Sequence, residues 1–284
     1  MLRLVSPITG LLLALASTSA TAAETLKPLR ILVTNDDGIS SEGISALIQA
    51  LKPFADIVVS APARNFSGAS QSVTLFNGEV RVREAERVPG VPGYAVEGTP
   101  ADATIFGLQE VGKTRPFDMV ISGINKGENV GEAVYVSGTV GAARQAAMLG
   151  IPAIAVSQAH VRDGRYDFQV AAQYTARLAQ VLSKLGPQAP KLVSVNVPAK
   201  PKGVKMVPAG GTPFAITGFK RTGTASDGAT LYAPNLTISA NAPAGSDTEA
   251  LAQGYIAVTV LSLDPNVKEA SLPTAALELE AAEQ

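Results

Sequence analysis

The chain has 284 residues, 46% of them hydrophobic and 17% charged, with one histidine and no cysteine. That supply of apolar side chain excludes a disordered polypeptide, and a net charge of -1 with a pI near 5.9 leaves no electrostatic footprint for nucleic acid or an anionic membrane. The missing cysteine excludes disulfides, thiolate catalysis, cysteine metal sites and an acyl-cysteine anchor.

Residues 1–23 read as a signal peptide: a basic start, the short apolar core "GLLLALAST", and the small-residue region "SATAAET", cleaved after Ala22 or Ala23. The apolar run falls short of the roughly 20 residues that span a bilayer. The expected mature protein is therefore exported and periplasmic, with no membrane anchor.

Residues 29–34 are an apolar run of strand length ending in "NDDG", and "GISALIQAL" follows with Ile44, Leu47, Ile48 and Leu51 at helical spacing. "DIVVSAP" (56–62) is a second buried strand leading into the polar loop "RNFSGASQS". "GYAVEG" predicts a strand, and Thr99, Pro100 and Asp102 predict a helix start with the threonine as N-cap and the aspartate three residues on. Further along come the strand "FDMVISGIN" (117–125), the small-residue helix "GTVGAARQAAMLG" and the strand "PAIAVSQ" (152–158). A helix over 167–185 carries Phe168, Tyr174, Leu178, Val181 and Leu182 mostly along one face, and the strand "KLVSVNVP" ends the regular pattern.

Continuous apolar strands alternating with helices predict a doubly wound, mostly parallel α/β sheet of Rossmann-like form over residues 28–200. A small β-rich extension is expected over 201–270, and 271–284 form a tail. In such sheets ligands bind beyond the carboxyl ends of the strands. Asp36, Asp37, Ser67 and Asn125 all fall there.

The chemistry narrows by elimination. His160 stands alone and is expected to be structural; no GxSxG elbow, HExxH motif or phosphohistidine motif occurs, and Gly38 stands where an aspartyl-phosphate enzyme needs its second acid. No P-loop occurs, and the first strand-to-helix turn is acidic where a dinucleotide fingerprint needs glycines. Two adjacent carboxylates repel one another unless a cation neutralises them or one is protonated, and oxygen ligands favour Mg²⁺, Mn²⁺ or Ca²⁺. Ser67 and Asn125 can each add a neutral oxygen. The segment "SGINKGENVGEAVYVSGTVGAAR" adds Lys126, Asn129 and the helix opening Ser137, Gly138 and Thr139, a natural seat for phosphate.

The stretches "ILVTNDDGISSEGI", "VVSAPARNFSGASQSVT", "GTPADAT", "DMVISGINKGENVGEAVYVSGTVGAAR", "IPAIAVS" and "VNVP" occur in that order. In these the chain resembles the SurE survival-protein family of nucleotide phosphatases. It departs from the family pattern at Ala133, where an acid is usual, and at Val136, where a tyrosine precedes SGT. The resemblance implies a metal-dependent phosphomonoesterase for nucleoside 5′- and 3′-monophosphates, with Asp36, Asp37, Ser67 and Asn125 holding one Mn²⁺ or Mg²⁺ per subunit. Asp36 and Asp37 are also the expected catalytic pair. Asn35, Lys126, Asn129, Ser137, Gly138 and Thr139 are the expected phosphate and substrate contacts. It further implies a homodimer or homotetramer joined through the C-terminal β-rich part, and a cytoplasmic location as the alternative to export. Two other readings compete: a broad-specificity periplasmic acid phosphatase, and an exported protein that captures phosphorylated ligands without catalysis.

Overall fold

The computed structural model describes residues 28–161, 164–238 and 242–266. The expected signal peptide and C-terminal tail lie outside them. Its strands are β1 (Leu29–Thr34), β2 (Ala55–Pro62), β3 (Val82–Glu84), β4 (Gly93–Val96), β5 (Met119–Lys126), β6 (Ala153–Gln158), β7 (Leu192–Val197), β8 (Val204–Met206), β9 (Phe214–Thr224), β10 (Thr230–Ile238) and β11 (Ile256–Val260). The α-helices are α1 (Glu42–Leu51), α2 (Pro100–Phe106), α3 (Ala133–Val136), α4 (Gly138–Met148), α5 (Gln169–Leu185) and α6 (Asp247–Ala252).

Nine strands form one sheet in the order β3-β4-β2-β1-β5-β6-β7-β11-β8. The six from β4 to β7 in that order run parallel, which gives the doubly wound α/β class the apolar runs predict. Two short strands from beyond residue 200 extend one edge, where β11 pairs antiparallel with β7 and parallel with β8, and β3, antiparallel to β4, closes the other. Separately, β9 and β10 form an antiparallel hairpin. Strand β11 follows the parallel strands in sequence yet enters reversed against β7, after a connection over residues 198–255 that holds β8, the hairpin and α6.

Strands buried on both faces need apolar residues at every position, and the helices divide them. Ile31 and Val33 pack with Ile44, Leu47, Ile48 and Leu51 of α1 and with the α5 face. Leu32, pointing the other way, packs with Val140, Ala143 and Ala146 of α4. Full burial of each such aliphatic side chain contributes about 1.5–3 kcal/mol. The α5 face differs in detail from the predicted one. Ala171, Ala172, Thr175, Ala176, Ala179 and Leu182 form the buried stripe, while Val181 is 53% exposed. Val181 lies one 100° step from Leu182, off the edge of that stripe; small alanines let α5 sit close to the sheet.

The start of α2 follows the predicted chemistry: the Thr99 side chain accepts from the Asp102 N–H and Asp102 accepts from the Thr99 N–H. The chain leaves β1 toward β2 on one side and returns to β5 on the other. A crevice therefore opens between the ends of β1 and β5, the topological switch point where ligands bind in this architecture.

Candidate active site

Strand β1 ends at Thr34, and the next four residues turn over the switch point. Asn35 makes that turn rigid: its amide donates to the Gly38 carbonyl and the Ser41 hydroxyl, and its oxygen accepts from the Gly38 N–H. Ser41 in turn caps α1. Gly38 has φ +95° and lies against the Arg64 backbone, where a Cβ would come 3.0 Å from the carbonyl carbon. Only glycine fits both the left-handed backbone and the close approach.

The loop after β2 is tied to this turn. The Ile39 N–H donates to Pro62 O, and the Phe66 N–H donates to Asp36 O at 2.7 Å. Further along, Ser70 binds the carbonyls of Tyr135 and Val136 through its hydroxyl and N–H. Ser67 is thereby held on the exposed rim between the acidic turn and α3, with its N–H on Asn65 Oδ1.

Asp36 is 3% exposed and sits on the first turn of α4. Its Oδ1 accepts from Thr139 Oγ1 at 2.5 Å, and the Gly138 and Thr139 amides also donate to the carboxyl. A Cβ on Gly138 would lie 2.9 Å from Asp36 Oδ2, so that glycine is what lets the acid approach the helix. Burial nevertheless raises the Asp36 pKa, the hydrogen bonds from Thr139 and Gly138 opposing it. Asp37 is half-buried and its pKa is pushed up to about 6, first by burial and then by the charge of Asp36 beside it. It accepts from Asn65 Nδ2 at 3.2 Å and from the Lys126 N–H at 3.4 Å.

The third contribution comes from β5. Its register with β6 slips between Ser122 and Asn125, a bulge that re-aims the strand end. Asn125 donates from Nδ2 to the Gly127 carbonyl at 2.7 Å, so its amide oxygen is the atom left to offer. Lys126 lies beside Asp37 with its Nζ 3.3 Å from Glu42 Oε2.

Asp37 and Lys126 line one crevice, a cavity of about 380 Å³ that also opens on Ser40, Ser41, Arg64 and Asn65; Asp36 and Asn125 adjoin these two in the chain, and Ser67 follows on the Asn65 loop. Three other predicted contacts take partners within the protein. Asn35 braces its own turn, Ser137 accepts from the Val140 N–H as the α4 N-cap, and Asn129 donates to Ser157 Oγ. Gly138 and Thr139 are engaged with Asp36, so they orient that acid. Asn65 was visible only as part of a polar loop, and its bond to Asp37 depends on how β2 lies beside β1.

The donor set fits a hard divalent cation. The two acids carry no ion pair with a lysine or arginine among the described residues, and each is driven toward protonation by its surroundings. Among those residues no three acidic, histidine or cysteine side chains converge. Two carboxylates completed by neutral serine and asparagine oxygens are what such an ion takes, with room for water.

Residues 31–215 match the family model described as Survival protein SurE. The chain is 39% identical over 248 residues to the 5′-nucleotidase SurE of Methanopyrus kandleri, covering 83% of this chain and 92% of that protein. It is 37% identical over 259 residues to that of Rhizorhabdus wittichii, covering 88% and 99% respectively. The crystal structure of the SurE protein from Aquifex aeolicus superposes with a TM-score of 0.70 at 31% identity, covering 84% of this chain and 94% of that one. Acidic turn, serine loop and bulged asparagine strand stand together in a fold shared with these relatives along nearly their whole length, and the chain belongs to the SurE family.

Proposed function

We propose that this protein is a divalent-metal-dependent nucleotidase, releasing phosphate from nucleoside 5′-monophosphates and also from 3′-monophosphates. The observation that carries this reading is the pair Asp36–Asp37: adjacent, desolvated acids at the sheet's switch point, with no salt bridge to a lysine or arginine among the described residues and only the nearby Lys126 charge opposing the rise at Asp37. The relatives' name, 5′-nucleotidase, supports the substrate class. Asp36, Asp37, Ser67 and Asn125 would hold one Mn²⁺ or Mg²⁺. Such an ion supplies concentrated positive charge that draws in the phosphate and acidifies a water beside it.

The remaining work falls to the chain. Asp37, the more exposed acid, accepts the proton of the water that attacks phosphorus in line with the leaving ester oxygen. Lys126 neutralises phosphate charge at the crevice rim, beside the segment Ser137–Thr139. Thr139 and Gly138 fix Asp36, while Asn35 and Asn129 hold the loops behind it. With no cysteine and His160 outside this crevice, direct attack by water is favoured over a phosphoenzyme.

Chelation tests the reading directly. Stripped with EDTA, the protein loses phosphate release from 5′- and 3′-nucleotides and regains it with Mn²⁺ or Mg²⁺; activity indifferent to chelation would sink the metal assignment. A substrate panel that includes sugar phosphates separates a nucleotidase from a broad acid phosphatase.

We further propose that residues 1–23 direct export to the periplasm and that the mature protein is a homodimer or homotetramer. Exposed Phe219, Leu231 and Tyr232 on the β9–β10 hairpin support a subunit contact there. Among the described residues no helix is long and apolar enough to cross a membrane. Protein recovered from the periplasmic fraction should begin at Ala23 or Glu24 and scatter light as a dimer or larger. An intact Met1 in the cytoplasm, or a monomer, would remove the corresponding part.

A further inference from the structure

Next to the polar crevice lies a cavity of a different character. It measures about 490 Å³ and is walled by Gly127, Glu128, His160, Phe214, Leu236 and Ile238. Its floor continues directly from Asn125 and Lys126, and the Asn125 side chain is bonded to the Gly127 carbonyl. Its apolar wall comes from the two ends of the hairpin, where Phe214 pairs with Ile238. Phe214, Leu236 and Ile238 stay 38%, 60% and 77% exposed, an unusual cost for large apolar groups so close together. His160 closes the opposite side, its N–H donating to Glu128 Oε2 at 2.8 Å.

A nucleotide is divided in the same way, with a doubly charged phosphate at one end and a flat, weakly polar base at the other. The polar crevice beside Asp37, Arg64 and Lys126 suits the first, and the apolar cavity suits the second. Its volume falls within the usual range for small-ligand pockets. Resting on the nucleotidase reading above, we infer that this cavity receives the nucleobase of the substrate. The base lies against the rings of Phe214 and His160, with Leu236 and Ile238 along its edge. Glu128, two residues after Lys126 in the chain, accepts a hydrogen bond from a hydroxyl of the ribose between base and phosphate. The hairpin base is then a specificity element, and the lone histidine a substrate contact.

The test uses the mature chain with Mn²⁺ and compares adenosine 5′-monophosphate with glycerol 2-phosphate, which has no base. In Phe214→Ala and in His160→Ala the ratio of kcat/KM for the nucleotide to that for glycerol phosphate falls about tenfold, a typical loss for one stacking partner. The fall arises in the nucleotide KM, and Phe214→Tyr, which keeps the ring, retains the wild-type ratio. A ratio unmoved in both truncations overturns the inference. Calorimetry with adenosine alone separates this inference from the nucleotidase reading: the wild-type chain binds it and Phe214→Ala binds it about tenfold more weakly. If no phosphomonoester is hydrolysed yet adenosine binds in this pattern, the nucleotidase reading fails and the cavity assignment stands. Hydrolysis without adenosine binding, and with an unmoved ratio, overturns the cavity assignment alone.

Discussion

Asp36→Asn lowers metal-dependent hydrolysis about a hundred- to a thousandfold while leaving the fold as stable as before, or more stable. The side chain has the same shape, so its packing against Gly138 survives, and its oxygen can still accept from the Thr139 hydroxyl or the amides at the start of α4. What disappears is a buried negative charge that burial already disfavours and that raises the pKa of Asp37. Without a cation that charge costs stability; a bound cation would offset it. Loss of a charge aimed at the reacting group typically lowers turnover about a hundred- to a thousandfold. Two measurements check this together. Phosphate release from a nucleotide falls by that factor, and the melting temperature without metal does not drop. Mn²⁺ raises the melting temperature of the wild type, because a ligand that binds only the folded state stabilises it by mass action. In Asp36→Asn that rise is lost. Retained hydrolysis, or an undiminished Mn²⁺ shift, would remove Asp36 from the metal shell.

Gly43→Ala damages the site from behind. Gly43 is buried on the face of α1 that rests on β5, and a Cβ there would fall 2.1 Å from the Ile124 carbonyl oxygen. The obstacle is backbone, which cannot rotate aside. Alanine favours the helix by about 1 kcal/mol, but overpacking of this kind costs about 1–3 kcal/mol, and an unyielding backbone contact lies at the upper end. The clash wins, with a net loss of about 2 kcal/mol, or roughly 4–8 °C in Tm for a chain of this size. Ile124 precedes Asn125, so either α1 lifts and carries Ser41 and the Asn35 turn with it, or the bulge of β5 shifts and moves Asn125. Both displace groups proposed to hold the cation. The Mn²⁺ concentration for half-maximal activity therefore rises along with the fall in Tm. Wild-type stability, or lost stability with unaltered metal titration, would show that α1 and the site are not coupled through this contact.

Much of this was legible in the residues themselves. Unbroken apolar runs such as residues 31–33, 57–59 and 153–156 determine parallel strands covered on both faces, because no amphipathic strand could carry them. Thr99, Pro100 and Asp102 determine a helix start through bonds made within four residues. The acidic pair in "NDDG" poses a local question, because adjacent like charges need either a cation or a proton to stay together. These are local facts, set by periodicity, by short-range hydrogen bonds and by Coulomb's law. The buried stripe of α5 was only partly legible, since alanines carry little hydropathy signal and Val181 looks as apolar as Leu182.

Tertiary structure alone decided the rest, where partners are far apart in sequence and the choice among them depends on packing. Thr139 meets Asp36 across 103 residues, so a helix opening that reads as a phosphate seat also clamps an acid. The bulge that turns Asn125 toward the crevice follows from the slip between β5 and β6. No local pattern in β11 foretold its insertion between β7 and β8, reversed against β7. His160 is the plainest case. A single histidine in sequence has no chemistry to suggest, and only the fold brings it to a cavity walled also by Phe214 and Ile238 from the two hairpin ends.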